Sequence, residues 1–257
     1  MSLQGKTAIV TGGATGLGAA TCRLLAEKGA NVVVNYSKSE AEATETSRLC
    51  AEFGVKSMAI RADVSQKSEC LRLVESANTI TGRVDILVNN AAKTKFIATG
   101  DLDQLSGEDY MDTYRLIVVG AYEMIRACVP GMRATGKGAI VNITSVAALF
   151  GGGSSPAYAA AKGALITFTK SMARALGPDI RVNAVCPGFM ATRWLTETRS
   201  EEAYDQLVQM VTTRAPLKRA ALPEDVAQGV VFLCSDAAVN MTGVNLIMDA
   251  GTHLTVA

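Results

Sequence analysis

Tyr158-Ala159-Ala160-Ala161-Lys162 places a phenol and an ammonium four positions apart, and this pair is the chain's best equipment for moving a proton. On a helix the two side chains share a face. A phenol titrates near about 10 and is neutral at neutral pH; a neighbouring ammonium stabilises the phenolate and lowers that value. Such a pair gives a proton to a developing alkoxide or takes one from an alcohol. The single histidine, His253, stands far along the sequence, so a Ser-His or Cys-His nucleophile pair or a histidine-rich metal site is hard to assemble, and no metal is expected. A Tyr-Lys spacing also arises by chance on solvated helices, so the elements around it must decide its meaning.

Those elements alternate between short β-branched runs and longer helical patterns. Residues 7–11 read as a strand, followed by a Gly-rich turn and a helix to about Lys28 with Gly29 at its C-cap, and Val32-Val33-Val34 opens the second strand. A helix near 38–53, a strand over 56–60, a helix from a Ser65 cap to about Thr81 stopped by Gly82, and a strand over 85–89 follow. A long helix over roughly 106–130, a strand over 139–143, the Tyr158 helix to about Leu176, and strands over 180–185 and 244–248 complete the pattern. The strands are apolar runs without a polar face, so both faces of their sheet are covered. The expected fold is α/β: a doubly wound, parallel, seven-stranded Rossmann-type sheet with right-handed crossovers, in one domain over 1–257. With 257 residues, 49% of them apolar and 19% charged, the chain can fill such a core.

The turn Thr11-Gly12-Gly13-Ala14-Thr15-Gly16-Leu17-Gly18 joins the first strand to the first helix. Glycines there admit a tight turn and close approach of backbone N–H groups to a pyrophosphate, which a helix N-terminus favours. The spacing is G-x-x-x-G-x-G rather than G-x-G-x-x-G, and a Gly-rich turn alone is often plain turn chemistry. Directly after strand one of a doubly wound sheet, the binding reading is the stronger one. At the end of strand two, where a carboxylate reads a ribose 2′-hydroxyl, the chain has Asn35-Tyr36-Ser37-Lys38 and no acid before Glu40. A 2′-phosphate is then acceptable, with Ser37 and Lys38 as donors, which favours NADP(H) over NAD(H); no arginine in that stretch offers a bidentate grip.

The Gly turn, Asn89-Asn90-Ala91 after strand four, Ser145, Tyr158-x-x-x-Lys162 and Pro187-Gly188 stand in one order along the chain. As a set they resemble the single-domain short-chain dehydrogenase/reductase family, over essentially the whole length, and are similar to its 3-oxoacyl-acyl-carrier-protein reductases. The resemblance implies that Ser145, Tyr158 and Lys162 are catalytic: Tyr158 the acid, Ser145 bonded to the substrate oxygen, Lys162 tuning Tyr158 and holding the nicotinamide ribose. It implies a cofactor site of Gly12, Thr15, Gly16, Leu17 and Gly18 at the pyrophosphate, Tyr36, Ser37 and Lys38 at the ribose, and Asp63 with Val64 at the adenine. Asn89 would tie the central strand near Ala91, and Pro187, Gly188, Met190 and Thr192 would hold the nicotinamide end. Two positions depart from the pattern. Ala92 replaces a customary glycine, a small change if its φ is negative and a strain otherwise. Ile117 falls where an asparagine helps kink the helix and place a proton-carrying water, so a weakened proton relay is expected.

Beyond the site the sequence is less specific. Val146–Phe150 followed by Gly151-Gly152-Gly153 suggests an apolar wall and a flexible turn. The segment from Phe189 through Met190, Trp194 and Leu195 to about Thr213 reads either as a substrate lid or as a surface helix pair. Lys93 and Lys95 are either solvated or a draw for an acidic or phosphopantetheine-bearing substrate. Small residues on the Tyr158 helix permit close helix approach, and the resemblance turns this toward a homodimer or homotetramer. A net charge of +1 without basic runs argues against a nucleic-acid partner, and no apolar run reaches membrane-spanning length. Six scattered cysteines without a C-x-x-C pair suit buried thiols of a reducing compartment, and with no signal-peptide pattern at residues 1–6 the expected location is cytoplasmic. The leading expectation is an NADP(H)-dependent reductase or dehydrogenase of a small carbonyl or alcohol, with a 3-oxoacyl thioester as first substrate and a sugar or polyol as runner-up. A cofactor-binding scaffold with little catalysis, and a lyase or epimerase using a tightly held nicotinamide, are the competing readings.

Overall fold

The structure, a computed structural model, describes residues 2–97, 100–190 and 200–255, without the side chains of Thr81 and Leu102. Its strands are β1 (Thr7–Val10), β2 (Asn31–Tyr36), β3 (Ser57–Arg61), β4 (Ile86–Asn89), β5 (Gly138–Ile143), β6 (Ile180–Pro187) and β7 (Asn245–Met248). They form one parallel sheet in the order β3-β2-β1-β4-β5-β6-β7. The chain winds outward in one direction from β1 and in the other from β4. A crevice therefore opens at the C-terminal ends of these two strands, the position that ligands take in such sheets.

Residue alternation along the strands explains why none shows a polar face. Ala8 and Val10 of β1, Val32 and Val34 of β2, and Ile86 and Val88 of β4 enter one core, packed under α1 (Gly16–Glu27), α2 (Glu40–Ala51) and a helix over Pro223–Cys234. The residues between them, Ile9, Val33 and Leu87, enter a second core under α3 (Lys67–Thr81) and two further helices. Both faces are thus buried, as a parallel sheet requires. All six cysteines are free and buried.

The remaining helices are α4 (Gly107–Tyr114), α5 (Gly120–Thr135), the short α6 (Ala147–Phe150), α7 (Pro156–Leu176), α8 (Glu201–Arg214) and α9 (Pro223–Cys234). Between α4 and α5 the helix continues as a π turn over Arg115–Val119. The expected helix over 106–130 is therefore longer and irregular at its centre. Ile117 lies in that turn, 2% exposed, packed in a small cluster with Val118, Ala121, Ala161 and Leu165 that Tyr158 also joins. The irregularity does not need an amide side chain; apolar packing against α7 occupies its place.

The α3 cap also differs from expectation. Gln66, not Ser65, is the N-cap, and it makes no side-chain cap bond; the Ser65 amide donates to Asp63 Oδ1. Gly82 stops that helix in the left-handed region, φ 82°. Ala92 carries no backbone strain, since Lys218 and Ala250 are the positive-φ residues other than glycine among those described.

Candidate active site

The Gly-rich turn is built by three side chains that converge from neighbouring strands. Asn90 donates from Nδ2 to the carbonyls of Thr11 and Gly12, 2.9 Å each. The Thr11 hydroxyl accepts from the amides of Asn90 and Ala91. Asn35, 2% exposed at the end of β2, accepts from Gly12 N and donates to the carbonyls of Ile60 and Ala62, so it ties turn, β2 and β3 together. A Cβ on Gly18 would run into the Gly12 carbonyl oxygen, so only glycine lets α1 begin this close to the turn. Thr15 caps α1 without using its hydroxyl, and the first amides of the helix face the crevice. This cradle of open N–H groups suits a phosphate.

The catalytic candidates come from the connection that follows β5. Ser145 follows β5, where Thr144 N donates to Val185 O and Val146 N to Pro187 O, pinning the segment to β6. Ser155 caps α7 by accepting from Tyr158 N, and Pro156 begins the helix, which sets Tyr158 in the first turn with Lys162 one turn on. Ser145 and Tyr158 line the same cleft, and Lys162 Nζ lies 5.5 Å from the centre of the Tyr158 ring. Lys162 is 2% exposed and donates to Ile143 O at 2.6 Å.

These surroundings reverse one expectation. Desolvation pushes Tyr158 up to about 12, against the influence of the neighbouring Ser145, which acts the other way. Desolvation also carries Lys162 from its ordinary 10.5 down to about 7. Lysine does not lower the phenol in the protein's own field, because both groups share an apolar pocket in which neither charge is solvated.

One cleft of about 1200 Å3 joins these parts. It brings together Ser145, Tyr158 and Lys162 with Gly12, Thr15, Gly16, Leu17, Gly18, Ser37, Lys38, Asp63, Val64, Ala91, Pro187, Gly188 and Met190. Gly188 is held against Asp249, whose Cβ a Gly188 side chain would meet at 2.5 Å. Two expected residues stand outside the cleft lining. Tyr36 is buried in the core, its phenol raised by burial and by the nearby Glu40, and Asn89 lies beneath the sheet edge, donating to Asn142 Oδ1 at 2.9 Å and so tying β4 to β5. Thr192 lies outside the described residues, as do Trp194 and Leu195.

Sequence reasoning missed Asn35, Asn90, Arg61 and Thr11. Asn90 stood in the quoted triplet and Thr11 opened the quoted turn, but their bonds need the β1–β4 pairing to be seen. Lys93 and Lys95, read as solvated or as a draw for an acidic substrate, are exposed and each also meets a carboxylate: Asp112 at 2.9 Å and Asp109 at 3.3 Å.

Comparison with known proteins agrees with this geometry. A family model described as enoyl-(acyl carrier protein) reductase matches residues 12–253. The chain is 37% identical over 262 residues to an L-rhamnose 1-dehydrogenase (NAD(P)+) of Azotobacter vinelandii, covering 100% of both chains. It is 34% identical over 250 residues to a 3-oxoacyl-[acyl-carrier-protein] reductase of Staphylococcus epidermidis, covering 97% of this chain and 99% of the other. The solved structure of L-sorbose reductase from Gluconobacter frateurii, complexed with NADPH and L-sorbose, matches 100% of this chain and 99% of its own at a TM-score of 0.92 and 32% identity. With a sheet, a crevice and a full-length match of one kind, the chain belongs to the short-chain dehydrogenase/reductase family, as an oxidoreductase working between alcohol and carbonyl with NAD(P).

Proposed function

We propose that this enzyme prefers NADP(H) to NAD(H), and that Ser145, Tyr158 and Lys162 handle the proton at the substrate oxygen. The observation that carries the reading is the convergence of Ser145, Tyr158 and, one helical turn on, Lys162 in the same cleft as the Gly turn. The bound dinucleotide supplies or accepts the hydride. Thr15 and the amides at the start of α1 hold its pyrophosphate, Asp63 and Val64 the adenosine, and Pro187, Gly188 and Met190 the nicotinamide end. Ser37 and Lys38 face the 2′ position, with no carboxylate among the lining residues next to them in sequence.

In the reductive direction the Tyr158 phenol gives its proton to the oxygen as carbonyl becomes alkoxide, and Ser145 steadies that oxygen by a hydrogen bond. Lys162, poised near neutrality, returns the proton to Tyr158. A 3-oxoacyl thioester is the first substrate to test. A sugar or polyol is the second reading, supported by the ion pairing of Lys93 and Lys95, which removes the free cations that would draw an acidic carrier. Of the lid expected over 189–213, residues 191–199 lie outside those described; Met190 at its start bridges to Ala221, and α8 forms its far part. The enzyme is a cytoplasmic homodimer or homotetramer, consistent with six unpaired thiols and with the exposed Tyr110, Met111, Tyr114 and Tyr122 along α4 and α5.

The test is NADPH and NADH oxidation across acetoacetyl thioesters, simple ketones and ketoses, with Tyr158→Phe in parallel. Turnover should require Tyr158, while Tyr158→Phe should bind NADPH with unchanged affinity. Undiminished turnover in the phenylalanine variant would remove Tyr158 from the acid's role.

A further inference from the structure

The parallel register of β2 and β3 sets Tyr36 beside Arg61. Adjacent strands lie about 4.8 Å apart, and paired residues project from the same face. The last residue of β3 therefore stands next to the residue that precedes Ser37-Lys38. Arg61 is exposed and lines the cleft together with Ser37 and Lys38. Its backbone carbonyl accepts from Arg72 Nη2 at 2.5 Å, which fixes the end of the strand. Its guanidinium makes no hydrogen bond or ion pair among the described residues, and neither does the Lys38 ammonium.

The acids at this end are committed elsewhere. Glu40 stands by the Tyr36 phenol and raises it, while Arg61 acts on the same phenol in the opposite sense. Glu69 accepts from Asp63 N at 2.6 Å and faces Arg72 at 3.7 Å, and Asp63 accepts from Ser65 N at 3.0 Å. Two cations with no hydrogen bond or ion pair among the described residues thus share one end of a nucleotide cleft, one a planar fork beside the Tyr36 phenol and the other a point charge. A phosphate monoester carries close to two negative charges and three acceptor oxygens, and a guanidinium fork meets two of them at once.

We propose that Arg61, at the end of β3, is the residue that selects the 2′-phosphate of NADP(H), with Lys38 and Ser37 as its helpers. This rests on the NADP(H) reading of the cleft given above. It also supplies the bidentate grip that the β2 loop lacks, from a residue about two dozen positions away in sequence.

The experiment is isothermal titration of the full chain with 2′,5′-ADP and with 5′-AMP, two probes that differ by the 2′-phosphate alone. It is run on the unaltered chain, Arg61→Ala and Arg61→Lys, each checked for an unchanged melting temperature. The unaltered chain should bind 2′,5′-ADP more tightly than 5′-AMP. Arg61→Ala should weaken 2′,5′-ADP on the order of 10- to 100-fold, the range of a lost charge-assisted bond, and leave 5′-AMP unchanged. Arg61→Lys should fall between, because an ammonium keeps the charge and loses the fork. Retention of the preference in Arg61→Ala would overturn the assignment and leave the NADP(H) reading standing on Lys38. Equal weakening of both probes would overturn it too, by making Arg61 a support for the adenosine. No preference in the unaltered chain would overturn the NADP(H) reading and the assignment together.

Discussion

At the scale of single residues, the environment of Tyr158 sets the pH behaviour. In the proposed mechanism alcohol oxidation uses the Tyr158 phenolate, and desolvation holds Tyr158 near 12, so the oxidative rate should climb through the alkaline range. Ser145 is the neighbour that acts to lower Tyr158. Ser145→Ala should therefore shift the oxidative pH profile upward and cut turnover on the order of 100-fold, the effect of losing one donor at a developing oxyanion; an unmoved profile would show that Ser145 does not touch the phenol in solution. Lys162 adds a stability signature. It sheds its proton near 7 in the folded protein and at an ordinary 10.5 when unfolded. Between those values the unfolded chain binds more protons, so stability rises with pH. The denaturant midpoint should rise from pH 7 to about 7.8, below the ordinary thiol range, and the rise should shrink in Lys162→Met.

At the scale of elements, the sheet was legible because its strands are short apolar runs separated by glycines and helix caps. Each strand was placed to within a residue or two, and the glycine turn and Tyr158 helix fell where the pattern put them. The helix over Pro223–Cys234 was not read, although Pro223 at its first position and acidic Glu224 and Asp225 in its first turn mark a helix start. Arg61 was invisible for a different reason: its neighbours are set by strand register, which no local pattern records. Asn35 is the same kind of residue, a buried amide joining a turn to two strands. Asn35→Ala should destabilise the fold by about 1–3 kcal/mol by leaving buried backbone groups unpaired, and should weaken nucleotide binding through the loosened Gly turn; calorimetric unfolding with and without NADPH checks both. The π turn at Ile117 belongs here as well. Ile117→Asn places an amide beside α7, and should raise turnover while costing about 1–3 kcal/mol in stability if its amide finds no full set of partners. A single-turnover proton-uptake measurement separates the two effects.

At the scale of the whole molecule, the exposed aromatic residues on α4 and α5 continue toward α7 through the edge-on pair Tyr122 and Phe168, 6.4 Å between ring centres. A paired face of that kind predicts a sedimenting species of two or four chains, and Met111→Glu with Tyr114→Glu should shift it toward the single chain. The six thiols have a consequence of another sort. Cys22, Cys50, Cys70, Cys128, Cys186 and Cys234 lie in six different elements, α1, α2, α3, α5, β6 and α9, and burial raises every one of them above its ordinary value. In the closed native protein all six should resist an alkylating reagent. Each becomes reactive when its own element opens, so the order of mass increments during a timed exposure reads out which parts of the molecule breathe first. Cys22 donates toward the carbonyl of Gly13 inside the nucleotide turn, so NADPH should delay its labelling more than that of Cys128 on the opposite face. The native sequence thereby carries its own clock for local unfolding, with no label to engineer.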